Sequence, residues 1–364
     1  MPKHSPAVRE ASGKLNEALT QEAHEARLQY FNDDRAGFRR KLRGKQFVYF
    51  SESGKRISDR NVLARIKRLA IPPAWKDVWI CPSANGHLQA SGRDARGRKQ
   101  YRYHDRWRAQ RDETKFHRVL AFARALPRIR RRVKRDIGLA GMPREKILAT
   151  VVRLLEFSLI RVGNEEYARD NKSYGLTTMK NHHAKISRDR IRFTFRGKSG
   201  KQHEISVRDR TLAAIVKHCQ DLPGQKLFEY EDENHEPRSL DSHDVNEYIR
   251  AVAGDDFTAK DFRTWAGTVL AAVALREFRE VSGRNEAKRN VVTAIEAVAK
   301  MLGNTPSVCR KCYIHPGVLD SYLEGRTIDT LQGRMKAKIG RGLYNFKPEE
   351  AAVLVLLKSG LKKR

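Results

Sequence analysis

Apolar residues recur along this chain with two different spacings, and the change between them predicts two regions. The first runs to about residue 107 and mixes both periods. Residues 6–31 are rich in Ala, Glu and Leu, which predicts a helix. "GKQFVYFSESGKRISD" (Gly44–Asp59) reads as a hairpin: an apolar-aromatic run, a Ser/Gly turn and a return strand. "NVLARIKRLA" has helical spacing and stops at Ile71-Pro72-Pro73. "DVWICP" and "GHLQASG" are strand candidates, and the basic "SGRDARGRKQYRYH" reads as loop.

From about Asp105 the period turns helical. "REKILATVVRLLEFSLI" (Arg144–Ile160) has apolar residues at helical spacing and ends before Gly163. "RIRFTFRGKSGKQHEISV" (Arg190–Val207) alternates on both sides of Gly197-Lys198-Ser199-Gly200, a hairpin signature. Long helices are predicted over 260–281 and 285–302, and "EYEDENHEP" (229–237) reads as a solvated loop. The expected fold is α+β: a β-rich N-terminal domain (1–107), then a mostly helical domain (108–364) with a small antiparallel sheet. Neither internal repeats nor a low-complexity tail breaks this pattern.

Charge changes the picture more than composition does. The 364 residues are 40% hydrophobic, enough for a sizeable core, but carry 74 Lys+Arg against 43 Asp+Glu, a net +31. Such a surplus repels itself unless a polyanion is near, and nucleic acid is the default partner. Residues 1–140 hold 34 basic and 14 acidic side chains, and the stretch 91–135 holds 17 basic and 4 acidic, which reads as a stripe near the domain join. "MPKHSPAVRE" is polar and no run approaches about 18 apolar residues, so neither a leader nor a membrane span is expected. Four cysteines in a chain this long suggest reduced thiols in a cytosol.

Four separated segments each put one cation, amide or phenol in a special position. In "LIRVGNEEY" Arg161 leaves an apolar helix end just before a glycine. In "FRGKSGKQHEI" Lys198 sits at a hairpin tip. In "KDFRTWAG" Arg263 lies near a helix start, with Lys260 one turn earlier. In "LGNTPSVCRKCYIHP" Asn304 stands at a helix break and Tyr313 follows among cations. Taken singly, each has a structural reading: helix-end arginines pair with carbonyls or carboxylates, and a phenol near a helix end packs. Cys309-x-x-Cys312 with His315 lacks a fourth nearby zinc ligand. "GKS" at 197–199 is no phosphate-binding loop, because Arg192 stands where the leading glycine belongs. His182-His183 reads as a surface pair in a strand, and neither HExxH nor a paired acidic motif is present.

In combination these segments resemble the active site of the type IB DNA topoisomerases, in particular the small bacterial and poxvirus-like form. "IPPAWKDVW", "GRDARGRKQYRY", "RVGNEEYARDNKSYGLTT", "FRGKSGK", "KDFRTWAG" and "LGNTPSVCRKCYIHP" fit in order and spacing over nearly the whole chain. The resemblance implies that Tyr313 attacks a phosphodiester and becomes linked to the 3′ phosphate of one strand. It implies that Arg161 and Arg263 clamp the non-bridging oxygens, that Lys198 is the general acid for the 5′ oxygen, and that Asn304 donates a hydrogen bond to the phosphate. Family members usually have histidine at that last position; asparagine keeps the N–H donor but cannot move a proton. The resemblance further implies that the N-terminal domain is a cap closing over duplex DNA, with Arg98, Lys99, Gln100, Tyr101 and Tyr103 facing it. Tyr167 and Lys260 match positions near the scissile phosphate.

The expected activity is relaxation of positive and negative supercoils without ATP, metal or any other cofactor, by a nucleoid-associated bacterial monomer in the cytoplasm. Two other readings share the features. A tyrosine recombinase has the same Arg, Lys, Arg and Tyr logic, but usually carries His where Lys260 stands. A non-catalytic basic DNA-binding protein would keep the charge and form no covalent adduct.

Overall fold

The basic run "FRRKLR" forms strand β1 (Phe38–Arg43), which pairs antiparallel with β2 (Gln46–Phe50) around Gly44 in the left-handed region, φ 58°. The expected return strand after Phe50 does not form; a single bridge, Phe50 to Arg56, is all that continues. The partner lies upstream, in a segment whose cations hide its strand character. Arg40 shows how they are accommodated: its guanidinium lies 4.1 Å from the Phe47 ring centroid and donates to the carbonyls of Pro72 (3.0 Å) and Trp75 (2.7 Å).

The computed structural model describes residues 20–44, 46–95, 97–232, 236–254, 257–278, 281–329 and 346–361. The chain divides into compact units 1–117 and 118–364. The expected N-terminal helix falls mostly outside the described residues, with helix visible at 20–25.

In the first unit β3 (Lys76–Ile80), β4 (Leu88–Arg93) and β5 (Lys99–Tyr103) complete an antiparallel sheet of order β2-β1-β3-β4-β5. β5 is the stretch expected to be loop; it pairs with β4 through Ser91–Tyr101 and Gly92–Gln100. Helix α1 (Arg60–Arg68) starts where the Asp59 carboxylate accepts the N–H groups of Asn61 and Val62. Its Ile66 packs with Val78, Ile80 and Ala90 as the core of the unit.

The unit boundary falls inside α2 (Asp105–Ile137). The second unit continues with α3 (Arg144–Ser158) and α4 (Glu165–Asn171), then a sheet of order β6-β7-β8. In β6 (Ala184–Ser187), β7 (Arg190–Arg196) and β8 (Gln202–Arg208), the predicted alternation appears as buried Ile191, Phe193 and Phe195. His182 and His183 lie in a short 3-10 turn rather than a strand, and His183 is buried with its ring 4.5 Å from that of Tyr174. After α5 (Arg210–Asp221), the expected acidic loop contains a small hairpin, β9 (Glu229–Glu231) with β10 (Pro237–Ser239). The rest is helical: α6 (Ser242–Ala253), α7 (Ala259–Arg276), α8 (Arg284–Leu302), α9 (Pro306–Cys312), α10 (Pro316–Leu323) and α11 (Pro348–Leu361). The fold is therefore α+β.

α7 forms the centre of the second unit. A mostly buried ionic group fixes it: Arg130 of α2 makes a bidentate pair with Glu350 of α11 (2.7 and 2.8 Å) and reaches Glu156 of α3 (2.6 Å). Glu350 also accepts from Trp265 Nε1 of α7 at 3.3 Å. No helix among the described residues is long and apolar enough to cross a membrane.

Candidate active site

Two helix ends, far apart in sequence, are held by one guanidinium. α3 ends at Leu159 (φ 55°) and α8 at Gly303 (φ 61°), both left-handed caps that leave terminal carbonyls without helical partners. Arg263, in the second turn of α7 and only 4% exposed, donates to the carbonyl of Leu159 and to that of Leu302 (2.7 Å). A cation is favoured there because both helices turn their partially negative ends toward it. Burial and the neighbouring Arg161 lower the Arg263 pKa to about 10, while Tyr313 opposes the shift.

Arg161 follows the α3 cap and donates to Asn304 Oδ1 at 2.6 Å, joining the residues just beyond the two helix ends. Burial lowers its pKa too. Two buried donors of this group have no acceptor among the described residues: Arg263 Nε and Asn304 Nδ2. Leaving a buried donor unpaired costs about 1–3 kcal/mol, so such atoms need an explanation. An anion bound among them would supply the acceptor.

Tyr313 ends α9, which Thr305 caps and Pro306 opens. Its ring lies 5.3 Å from the Arg263 guanidinium carbon, and its carbonyl accepts from Thr268 Oγ1 (3.4 Å). α7 approaches closely because residue 267 is glycine. A Cβ there would stand 2.6 Å from the Tyr313 carbonyl oxygen and 3.1 Å from its Cβ. Gly267→Ala is expected to destabilise the unit by roughly 1–3 kcal/mol through overpacking and to slow any chemistry of Tyr313. Thermal melts beside activity measurements check this, and an alanine variant unchanged in both would refute it.

Lys198 is exposed at the β7–β8 turn, where Ser199 is left-handed (φ 63°), and its Nζ lies 6.0 Å from the Tyr167 ring centroid. One open cavity of about 500 Å³ is lined by Arg161, Tyr167, Lys198, Lys260, Arg263 and Tyr313 among others. The fold thus gathers six of the candidates around one space, and Asn304 joins them through Arg161. Four cations and the phenols of Tyr167 and Tyr313 line one cleft, with acceptorless donors on Arg263 and on the adjacent Asn304, a set that suits an esterified phosphate.

The comparisons with known proteins agree. Residues 104–338 match the family described as Eukaryotic DNA topoisomerase I, catalytic core, and residues 46–94 match Bacterial DNA topoisomerase IB, N-terminal domain. The DNA topoisomerase 1B of Acanthamoeba polyphaga mimivirus is 32% identical over 294 residues, covering 79% of this chain and 87% of the relative. The DNA topoisomerase 1B of vaccinia virus (strain Western Reserve) is 24% identical over 301 residues, covering 78% of this chain and 92% of the relative.

The chain belongs to the type IB DNA topoisomerases. It is an enzyme of the isomerase class, and its substrate is DNA.

In this topoisomerase the N-terminal candidates lie on β5 and the turn before it, and they do not share one face. Lys99, Tyr101 and Tyr103 alternate on the exposed side, with the two tyrosine rings stacked at 5.9 Å. Lys99 Nζ is held by Asp33 at 2.8 Å. Gln100 points to the other side and donates to Asp94 at 3.0 Å, and Arg98 pairs with the same carboxylate at 2.8 Å. A strand cannot present consecutive residues to one surface.

The sequence did not mark His203, which lines a small cavity beside Arg161 and Lys198, or Gly267, which lies against Tyr313. The only local hint for His203 is its alternation with Ile205 and Val207 on the inward face of β8. Among the described residues no cluster of three or more His, Cys, Asp or Glu could hold a metal ion. Cys309 is buried beside Arg263, and burial pushes its thiol up to about 11.

Proposed function

We propose that this topoisomerase relaxes duplex DNA of either supercoil sign by two successive transesterifications at Tyr313, without ATP or metal. In the first step the Tyr313 oxygen bonds to phosphorus as the bond to the 5′ oxygen breaks. The phenol loses its proton to solvent and the 5′ oxygen gains one from Lys198. The product is a 3′-phosphotyrosyl link that conserves the ester, so the 5′ hydroxyl can reverse it after the strand has rotated. Arg161 and Arg263 hold the non-bridging oxygens, where charge builds in the transition state, and Asn304 Nδ2 donates to one of them. The cations Arg161, Lys198 and Arg263 offset the negative charge that a metal would otherwise neutralise. The N-terminal unit, with Tyr101 and Tyr103 exposed, contributes DNA contacts, and the enzyme acts as a monomer.

The observation that carries this reading is the gathering of Arg161, Lys198, Arg263 and Tyr313 around one cavity, with the buried donors Arg263 Nε and Asn304 Nδ2 lacking acceptors. The test is relaxation of positively and negatively supercoiled plasmid in EDTA without ATP. Topoisomers of both signs are expected to relax, and relaxation that vanishes in the chelator would contradict the metal-free mechanism. Raising salt is expected to weaken binding steeply, because many phosphate contacts release counterions.

The two phosphate contacts of differing charge should differ in effect. Asn304→Ala removes a neutral donor worth roughly 0.5–1.5 kcal/mol, about two- to tenfold in cleavage rate. Arg161→Ala removes a charged one worth on the order of 10²–10³ in rate. Equal losses in single-turnover cleavage would contradict this ranking.

A further inference from the structure

The His203 ring fills a space bounded by two glycines. It lies on β8 directly opposite Phe195, with the two rings stacked at 5.2 Å. A Cβ on Gly197, at the hairpin turn, would stand 2.6 Å from one ring carbon of His203, and a Cβ on Gly303, at the α8 cap, 2.6 Å from another. The ring therefore touches bare backbone on both sides. One residue beyond Gly197 is Lys198, and one residue beyond Gly303 is Asn304. Lys201 spans the same gap, with Nζ 3.5 Å from the Asn304 carbonyl. The cap itself is firm, since the Asn304 N–H donates to Ala299 at 2.9 Å. The hairpin tip is exposed and turns through a left-handed serine, so its position depends on what lies beneath it.

We propose that His203 is a positioning residue, a neutral aromatic spacer that sets the distance between the Lys198 hairpin and the helix end carrying Asn304. The proposal rests on Lys198 and Tyr313 acting as described above. The ring touches no reacting atom; its effect is on where Lys198 stands when the 5′ oxygen leaves. A displacement of about 1 Å at such a group can cost on the order of 10²-fold in rate.

The charges facing the ring require it to be neutral. Arg161 after α3, Arg263 on α7 and Lys201 on its own hairpin all disfavour protonation, and Lys198 lines the same small cavity. Burial acts in the same direction and is the largest cause of its lowered pKa. The sign follows. Above the ordinary imidazole value of about 6.5 the ring is neutral in folded and unfolded chains alike. As pH falls below that value the unfolded chain takes up the proton first, and stability declines until the folded ring protonates too. Protonation in the folded enzyme adds a further cation to this cluster and loosens the contact between turn and cap.

Single-turnover cleavage of a duplex carrying one cleavage site, measured from about pH 5 to 8 beside DNA Kd and thermal melts, tests the proposal. His203→Ala removes the spacer, and cleavage is expected to slow on the order of 10²-fold with Kd within about threefold. His203→Phe keeps a ring without a titratable nitrogen. It is expected to retain cleavage within about tenfold of wild type at neutral pH and to lose the part of the wild-type acid fall that sets in as the folded imidazole protonates, on the acid side of the ordinary value of about 6.5. An alanine variant cleaving like wild type overturns the proposal, and so does a phenylalanine variant that keeps the wild-type acid fall. If His203→Ala does not fold, the phenylalanine profile decides alone. Trapping the wild-type adduct on Tyr313 in the same experiment separates the two levels: adduct present with unaffected His203 variants sinks only the spacer, whereas no adduct sinks the covalent mechanism and the spacer with it.

Discussion

Tyr313→Phe is expected to abolish the covalent adduct and to reduce strand cleavage on the order of 10⁶-fold, the scale on which enzymes lose a nucleophile. The argument is chemical. In the proposed reaction bond energy passes from the phosphodiester into a phosphotyrosyl ester, and a phenylalanine ring has no oxygen to receive it. The rest of the side chain is untouched. The ring stays beside Arg263, the carbonyl still accepts from Thr268, and the close contact with Gly267 involves backbone and Cβ atoms. The variant should therefore melt like wild type and bind DNA with similar affinity. Stopping the reaction with detergent and separating strands on a denaturing gel reads the adduct directly. Wild-type adduct yield from the phenylalanine variant would remove Tyr313 from the mechanism.

Arg263→Ala has the second largest expected effect, because in the proposed mechanism this side chain serves phosphate binding as well as the fold. Loss of one charged donor to a developing oxyanion should slow cleavage on the order of 10²–10³-fold. Arg161→Ala should cost about as much in rate, yet the two variants should differ in stability. Arg263 satisfies the buried helix-end carbonyls of Leu159 and Leu302, and leaving each unpaired costs roughly 1–3 kcal/mol. The combined loss of roughly 2–6 kcal/mol should lower the melting midpoint by roughly 5–20 °C in a unit of this size. Among the described residues the Arg161 side chain makes one bond, to the Asn304 side chain, and its removal also relieves its repulsion of Arg263, so the stability loss should be smaller, about 1–2 kcal/mol. Melting curves beside single-turnover rates check the contrast. Equal midpoints for the two alanine variants would show that Arg263 does not hold the helix ends together.

This double use explains how the site is kept rigid. Arg263 links the end of α3, which carries Arg161, to the end of α8, which carries Asn304. Arg161 and Asn304 then bond to each other across the gap. From the other side of α7, the Arg130–Glu350–Trp265 group anchors the same helix two residues beyond Arg263. Paired and hydrogen-bonded as it is, that ion pair is one whose rupture is costly. Arg161, Arg263 and Asn304 therefore stand on or beside helix termini that are tied to one another.

Local chemistry made much of this molecule legible. The spacing in Arg144–Ile160 matches α3, the alternation around Gly197–Gly200 matches the β7–β8 hairpin, and Thr305-Pro306 marks the start of α9. Each signal lies within a few residues of the structure it specifies, because caps, turns and amphipathic faces are short-range effects. Charge hid two of the strands. β1 and β5 are strands whose cations alternate with little apolar contrast, and both were obscured.

Most helices, the β7–β8 hairpin and the basic character were legible in the chain, and so were the residues proposed to act on a phosphodiester. Only the tertiary structure decided that Arg263 bridges two helix ends, that Asn304 holds Arg161, and that His203 fits between Gly197 and Gly303. Those contacts join positions separated by 143 residues for Arg161 and Asn304, and by 104 for Arg263 and Leu159. No periodicity or turn preference encodes a bond across such distances; it exists because the packed core brings the two helix ends together, and their unpaired carbonyls then require a buried cation.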